Sequence, residues 1–448
     1  MSRLHLPHPL VLLVAGILIA AGATWLLPAG QFDRREDAAT GRIVVVPGTY
    51  HAVEPAPVGL FDAMVAIPRG AAQAADVIFL VFLVGGAFTV VDRTGALRAA
   101  VDRLAAGLRT REVLVIPLAG TLFAILGALE NMLEEFIALV PVLLILTRAL
   151  GFDALTAIAM SAGAAMVGAS FSPINPFQVG IAQRLAELPL LSGGLYRIAF
   201  MVPALGIWLG GTVLHARRTR TRPEAAEPDA AATSMDWRHG TVLALVLAAF
   251  AIYVFGVIRL GWGFDQLSAV FFIMGVIAGL IGRLGIDGTA RAYADGFREM
   301  ALAALIIGFA RAIFVVLEDG RVIDTIVQGL FTPIAELPAA LSAIGMMVAQ
   351  TAIHVPVPSV SGQAVLTMPV LVPLSDLLGF GPQVAVLAYQ YGAGLCDLLT
   401  PTNGALMAAI AAAGVRYEDW LRFALPLWLA LFVLGAIAVV VGIGVGLR

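Results

Sequence analysis

Nine stretches of this chain run for about 18 or more mostly apolar residues, the length an α-helix needs to cross the ~30 Å hydrocarbon layer of a bilayer. They lie at 9–27, 75–91, 154–184, 195–215, 240–258, 267–283, 300–317, 382–412 and 421–445, with polar interruptions inside 154–184 and 382–412. Of the 448 residues, 60% are hydrophobic and only 13% charged, where soluble domains carry roughly 25% charge. Mean hydropathy is +0.95. Cores of ordinary domain size cannot hide that much apolar surface, so the solvent is lipid. A net charge of −3 leaves no basic field to hold nucleic acid. Cys396 is the lone cysteine, which excludes an internal disulfide and a cysteine-built metal site. All 27 Lys-or-Arg positions are Arg, read as compositional bias rather than function.

Two further apolar stretches, 113–147 and 338–375, carry a polar break in the middle. Glu130, Asn131, Glu134 and Glu135 interrupt the first; Pro356, Pro358, Ser359, Ser361, Gly362 and Gln363 interrupt the second. Each half is about 15 residues, short for a crossing, so both read as re-entrant helical hairpins. The alternative is a pair of ordinary spans joined by a polar loop.

Arginine placement orients the chain. Arg93, Arg98, Arg103, Arg109 and Arg111 form one cluster, Arg217, Arg218, Arg220, Arg222 and Arg238 a second, and Arg283, Arg291 and Arg298 a third. A cytoplasmic N-terminus, with both hairpins returning to their own side, puts all three in the cytoplasm. The segment 318–338 then lies outside, and it holds Glu318, Asp319, Asp324 and Glu336 against one Arg321. Residues 1–28 make the first transmembrane helix, with Trp25 an interfacial anchor and no cleavage pattern after it; 29–74 make an extracytoplasmic loop and 216–239 a cytoplasmic linker. The expected location is a bacterial inner (plasma) membrane, with the C-terminus outside.

The chain also matches itself at a constant offset of 228 (141 to 369). Pro141-Val142-Leu143 recurs as Pro369-Val370-Leu371, Gly151-Phe152 as Gly379-Phe380, and Ser172-Pro173-Ile174-Asn175 as Thr400-Pro401-Thr402-Asn403. A weaker echo, offset 225 (90 to 315), links Val90 to Gly95 with Val315 to Gly320. Each half of the chain then holds two spans, a hairpin, a broken span and a final span; the repeats are bounded at 75–215, with the span at 9–27 ahead of it, and at 267–448. The odd helix at 240–258 inverts one repeat relative to the other, the architecture of alternating-access transporters. The fold class expected is an all-α polytopic membrane protein: about nine transmembrane helices plus two hairpins, in two inverted repeats with two broken helices.

Proline within a span removes a backbone donor and opens the helix. The chain should unwind near mid-membrane around Pro173 and Pro176, and again around Pro401. Freed carbonyls and half-helix N-termini would then face whatever lies between the repeats. Ser170, Ser172, Asn175, Thr400, Thr402 and Asn403 offer neutral oxygens suited to Na⁺ or to a substrate's polar groups; the competing reading is a structural kink satisfied by neighbouring helices. Glu130, Glu134 and Glu135 at membrane depth need hydration, pairing or a cation, unless the tip simply reaches cytoplasmic water. The second tip offers Ser359, Ser361, Gly362 and Gln363. Asp397, three residues before Thr400, is a candidate cation ligand or proton carrier, and Arg311 is the one Arg read as lying well inside a span, a possible counter-ion. His354 titrates if it is free, but a lone histidine is more often packed and hydrogen-bonded.

Four stretches carry a family resemblance: Thr24-Trp25-Leu26-Leu27-Pro28-Ala29-Gly30-Gln31-Phe32-Asp33-Arg34, Glu134-Glu135, Ile174-Asn175-Pro176-Phe177 and Pro358-Ser359-Val360-Ser361-Gly362-Gln363-Ala364. From about Pro9 to the C-terminus the chain resembles the YfcC family, which belongs with the four-carbon dicarboxylate anaerobic carriers of the ion transporter superfamily. The resemblance implies an elevator-type fold with a scaffold domain, a mobile transport domain of hairpins and broken helices, and often a homodimer. The sequence departs from that pattern at Glu130-Asn131 and at Ser172-Pro173. Members are described both as dicarboxylate carriers and as basic amino acid antiporters.

The function expected is cation-coupled (Na⁺ or H⁺) secondary transport of a small charged metabolite, without a cofactor. The carboxylates tip the substrate slightly toward amino acids; four-carbon dicarboxylates or short organic acids are the alternative. An ion channel, the reading from another class, would want a continuous polar stripe rather than two layers. An enzyme would need a nucleophile–base pair or a metal cluster, and no H-E-x-x-H, G-x-S-x-G or nucleotide-binding loop occurs.

Overall fold

The computed structural model describes residues 9–37, 42–46, 48–97, 99–100, 112–130, 135–221, 236–260 and 262–447. In chain order the helices and strands are α1 (Pro9–Leu26), β1 (Gly30–Gln31), β2 (Arg34–Asp37), β3 (Arg42–Val45), β4 (His51–Ala52), α2 (Leu60–Gln73) and α3 (Ala75–Arg93). Next come α4 (Val115–Glu130), α5 (Glu135–Ala149), α6 (Ala154–Ser170), α7 (Ile181–Leu185) and α8 (Gly194–Thr219). The rest are α9 (Trp237–Leu260), α10 (Phe264–Ile281), α11 (Gly285–Asp319), α12 (Ile323–Phe331), α13 (Ala339–His354), α14 (Val360–Leu377), α15 (Pro382–Cys396), α16 (Gly404–Ala412) and α17 (Tyr417–Gly444).

Among the described residues, seven helical stretches are long and apolar enough to cross a membrane: α3, Glu112–Leu129, α8, α10, α11, α14 and α17. Shorter apolar helix lies at Leu10–Leu26, Leu139–Ala149, Ala154–Ser170, Trp237–Ile252 and Ala339–His354. Two of the four arms within 113–147 and 338–375 therefore reach 18 residues, beyond the 15 read from sequence. The helices absorb polar residues at their ends, Glu112 in one and Ser361, Gly362 and Gln363 in the other.

The 29–74 segment is not a plain loop, and the chain is not purely helical. β1 pairs antiparallel with β4, and β2 with β3 from Arg34 opposite Val45 to Asp37 opposite Arg42. Strands of two to four residues are too short to leave an alternation in the sequence. α2 turns the small residues Ala63, Ala66 and Gly70 inward, at the three-to-four spacing of one helix face. A Cβ on Gly70 would sit 2.6 Å from the Ala312 nitrogen of α11, so only glycine allows the two backbones to approach. The segment is tied down by Asp324, a buried carboxylate that accepts from Phe32 N at 2.9 Å and from Arg34 Nη2 at 2.9 and 3.0 Å.

α11 is a second correction. The span read at 300–317 is the latter part of a 35-residue helix that starts at Gly285, about 52 Å long at ~1.5 Å per residue. Its charged first half looked like a loop. Instead Asp295 accepts an ion pair from Arg93 of α3 and another from Arg298 at 2.7 Å, so the charges meet on packed helices. α11 packs against α1, α2, α3, α10 and α16, and forms the spine of its side of the molecule.

α4 packs closely on α6, and α13 on α15. A Cβ on Gly168 would lie 2.0 Å from the Ala124 carbonyl, and one on Gly127 would lie 2.2 Å from that of Ala165. In the other pair, a Cβ on Gly392 would lie 2.3 Å from the Met347 carbonyl. Without hydrophobic drive inside lipid, such close contact is what holds helices together. α5 and α14 end alike: Gly151 (φ 80°) and Gly379 (φ 79°) take the left-handed conformation, while Phe152 N donates to Thr147 O at 2.8 Å and Phe380 N to Ser375 O at 3.1 Å.

α6 contains a π turn at Ala159–Gly163, where Trp208 Nε1 of α8 donates to the Ala159 carbonyl at 2.8 Å. Asp153 caps its start, accepting from Thr156 N at 2.9 Å and from Thr156 Oγ1 at 2.6 Å, with His215 Nε2 2.9 Å away. Burial alone would raise the Asp153 carboxyl; the bonds from His215 and Thr156 outweigh it and hold the group down at about 2.

Candidate functional site

Both proline boxes interrupt a helix. After α6 the chain leaves helical geometry at 171–175 and resumes in a π turn, Pro176–Gly180, before α7; after α15 it is open until α16 begins at Gly404. In the first break Ser172 Oγ donates to Ala128 O at 2.7 Å and accepts from Asn175 N at 2.8 Å. Asn175 Nδ2 donates to Gly127 O at 3.0 Å, and its oxygen caps the next segment by accepting from Phe177 N and Gln178 N at 2.9 and 3.0 Å. The last turn of α4 thus supplies carbonyls to the break, and Ser172 and Asn175, both buried, meet them. Ser170 donates to Met166 O at 2.6 Å within its own helix. The Pro176 side chain lies outside the described residues, as do those of Glu130 and Glu135 and the whole of Asn131 and Glu134.

The second break has the same cap, with Asn403 Oδ1 accepting from Leu406 N at 2.8 Å. Thr402 Oγ1 donates to Val355 O at 2.6 Å, so Thr400 is the donor in the 2.7 Å contact between the two hydroxyls. Thr400, Thr402 and Asn403 are each buried and engaged within the break or with the turn after α13. Ser359 caps α14, accepting from Gly362 N at 3.2 Å; Ser361 is half-buried in its first turn.

A chain of amides leads from the second tip into this break. Gln363 Nε2 donates to the backbone carbonyl of Gln350 at 2.7 Å and also to its side-chain oxygen. A backbone carbonyl only accepts, so this contact orients the Gln363 amide. Its oxygen then faces His354 Nδ1 at 2.7 Å, and Nδ1 carries a proton. The other ring nitrogen, Nε2, lies 2.7 Å from Asp397 Oδ1, which also accepts from Asn403 Nδ2. One further proton must lie between His354 and Asp397, on the ring or on the carboxyl, because otherwise two lone pairs would face each other. His354 is wholly buried and the Asp397 side chain 6% exposed, and a pair sharing that proton is neutral overall.

Arg311 is not the deep cation. It is half-buried, its Nε donates to Gln73 Oε1 at 3.0 Å and its guanidinium lies 4.6 Å over Phe314, with no carboxylate in ion-pair range among the described residues. The deep cation is Arg197, fully buried in the first turn of α8. Its partners are neutral: Gln390 Oε1 at 3.0 Å, Gln383 Oε1 at 3.0 Å and Ser192 O at 2.9 Å. Beside it the buried Tyr391 hydroxyl finds no hydrogen-bond partner among the described residues. Sequence reading missed Arg197, Gln350, Gln383 and Gln390; the signal available was three glutamines in the otherwise apolar helices α13 and α15, where a polar side chain needs a reason.

A cavity of about 410 Å³ opens between α11, the second tip and the strands of the 29–74 segment. Arg311, Phe314 and Glu318 line it from α11, Val357, Ser359 and Gly362 from the tip, Arg34 from β2 and Asp324 from α12.

The family model described as the C4-dicarboxylate anaerobic carrier (DcuC) matches residues 6–444. A protein of Escherichia coli (strain K12), named provisionally as the basic amino acid antiporter YfcC, is 31% identical over 491 residues, covering 98% of this chain and 96% of that protein. An uncharacterized protein of Haemophilus influenzae is 27% identical, covering 98% of this chain and 97% of its own length. Among solved structures, the Alcanivorax borkumensis YdaH transporter overlaps with a TM-score of 0.45 at 17% identity, covering 98% of this chain and 99% of that one. Neisseria gonorrhoeae MtrF overlaps with a TM-score of 0.41, also at 17% identity, covering 99% of this chain and 96% of that one.

Proposed function

The chain belongs to the C4-dicarboxylate anaerobic carrier family and is a membrane transporter, not an enzyme; on that premise we propose that it moves a small charged metabolite by secondary active transport coupled to Na⁺ or H⁺. The observation that carries the coupling is Asp397, a buried carboxylate placed where a helix opens and hydrogen-bonded, among the described residues, to His354 and Asn403. A site that holds one shared proton in an apolar interior is a natural load for an ion gradient.

Amino acids are the favoured substrates, and a four-carbon dicarboxylate, as in the family's description, is the second reading. The name of the Escherichia coli relative supports the first. So does the cavity beside the second tip, whose lining joins a guanidinium to a carboxylate, Arg311 to Glu318. The architecture proposed with this function is the pair of inverted repeats, each with a re-entrant hairpin and a broken helix, working as an elevator in a homodimer of the bacterial inner membrane. The equivalent turns at Gly151 and Gly379, and the equivalent caps at Asn175 and Asn403, support the repeats.

The test is uptake by proteoliposomes under an imposed pH gradient, an imposed Na⁺ gradient or neither, given labelled L-arginine or labelled succinate. Accumulation driven by one of the gradients is expected. Uptake indifferent to both would end the coupling proposal.

A further inference from the structure

We propose, resting on the transport reading above, that the 410 Å³ cavity is a binding site for an amino acid carrying a distal cationic group, its α-carboxylate on Arg311 and its distal cation on Glu318.

Arg311 and Glu318 stand seven residues apart on α11, two turns along one face, ~10.5 Å at 1.5 Å per residue. Arg311 is positioned rather than paired: Gln73 holds Nε and Phe314 underlies the guanidinium, so both Nη groups make no hydrogen bond among the described residues. Glu318 forms no ion pair and its carboxylate accepts no hydrogen bond among the described residues. Of the other charges on the lining, Arg34 is bidentate to Asp324, and Arg321 is exposed with one long contact, Nη1 to the Glu54 carbonyl at 3.5 Å.

The cavity therefore presents Arg311 and Glu318, neither in an ion pair among the described residues, two turns apart on one helix. The wall between them is apolar, formed by Phe314 with Val357, Val365 and Leu366 of the tip. That pattern is the complement of a molecule with a carboxylate at one end, methylenes in the middle and a cation at the other. A dicarboxylate would set its second carboxylate against Glu318, and a monoamine would set its charge against Arg311. The Ser359 hydroxyl, whose oxygen already accepts from Gly362 N, keeps a proton to donate to the carboxylate end.

The experiment is calorimetric titration of the full chain in lipid nanodiscs with L-arginine, L-citrulline and succinate; citrulline replaces the guanidinium with a neutral urea of nearly the same shape. L-Arginine should bind at least ~10-fold more tightly than citrulline, the loss expected for one charge-assisted contact. Glu318→Gln should weaken arginine by a similar factor and leave citrulline unchanged, Glu318→Asp should restore part of the loss, and Arg311→Gln should weaken both. Wild-type binding of both variants to arginine, or binding of succinate in preference to arginine, would overturn the proposal. Uptake measured alongside separates the two ideas. Arginine uptake untouched in Glu318→Gln and Arg311→Gln would remove this site and leave transport standing, whereas arginine bound through these residues but never taken up would keep the site and remove the transport reading.

Discussion

Gln390 Nε2 donates to the backbone carbonyl of Ser172 at 2.8 Å, so the helix leading into the second break holds the first break in place. The same side chain accepts from the buried Arg197 through its oxygen. Two segments about 200 residues apart in sequence thus share one amide. Gln390→Leu would leave both a cation and a carbonyl short of a partner in an apolar interior. A loss of about 1–3 kcal/mol is expected, read as a fall in Tm of the purified protein; an unchanged Tm would mean that water or another group replaces the amide without cost.

Asp397→Asn keeps the size of the side chain and removes the carboxyl that shares a proton with His354. Gradient-driven accumulation should disappear in proteoliposomes, while one-for-one exchange of internal and external substrate persists. Accumulation at the wild-type level would show that the coupling ion binds elsewhere.

Close helix contact makes a third prediction. Gly168→Ala brings a methyl group to 2.0 Å from the Ala124 carbonyl, backbone that cannot step aside, and should destabilise by about 1–3 kcal/mol. Gly206→Ala, on a face of α8 with nothing within 4 Å, should be neutral or gain up to ~1 kcal/mol from helix propensity. Equal Tm values for the two variants would contradict the packing.

Acid should reveal Asp153. Its folded carboxyl, held at about 2, lies below the ordinary value of 3.8, so its contribution is complete above 3.8 and fades as the pH falls toward 2. Asp153→Asn should therefore be less stable than the parent at pH 6, with the difference in Tm shrinking steadily between pH 4 and pH 2. A difference that does not change with pH would assign the effect to helix capping alone.

Sidedness is the fifth. In a Cys396→Ala background, cysteines at the exposed positions Arg217 and Glu336 should react with impermeant reagents from opposite sides of the membrane. Same-side labelling would remove the inverted repeats.

The proline boxes were legible because chemistry and spacing coincided: an Asn two residues after a proline, repeated 228 positions later, caps a half-helix in both places. The network behind them was not. Arg197 sits at the mouth of an apolar run, where an arginine reads as a cytoplasmic or interfacial anchor, and its partners Gln383 and Gln390 lie nearly 200 residues away with no motif around them. α11 was misread for the opposite reason. Arg291, Asp295 and Arg298 made its first half look solvated, and only the arrival of Arg93 from α3 shows how those charges can belong to a packed helix. The acidic tip, Glu130, Glu134 and Glu135, lies with its side chains outside the described residues.

The π turn at Ala159–Gly163 carries one residue more than an α-helix would place in the same rise, so everything after it is rotated by ~100° relative to an uninterrupted helix. Ser172 and Asn175 face Ala128 and Gly127 in this phase. Trp208, bonded to the Ala159 carbonyl and pressed against Gly163, acts as the pawl that keeps the helix at this notch. Without that indole the Ala159 carbonyl would keep only its helical bond from Ala164 N, at the point where the facing of the first break is set.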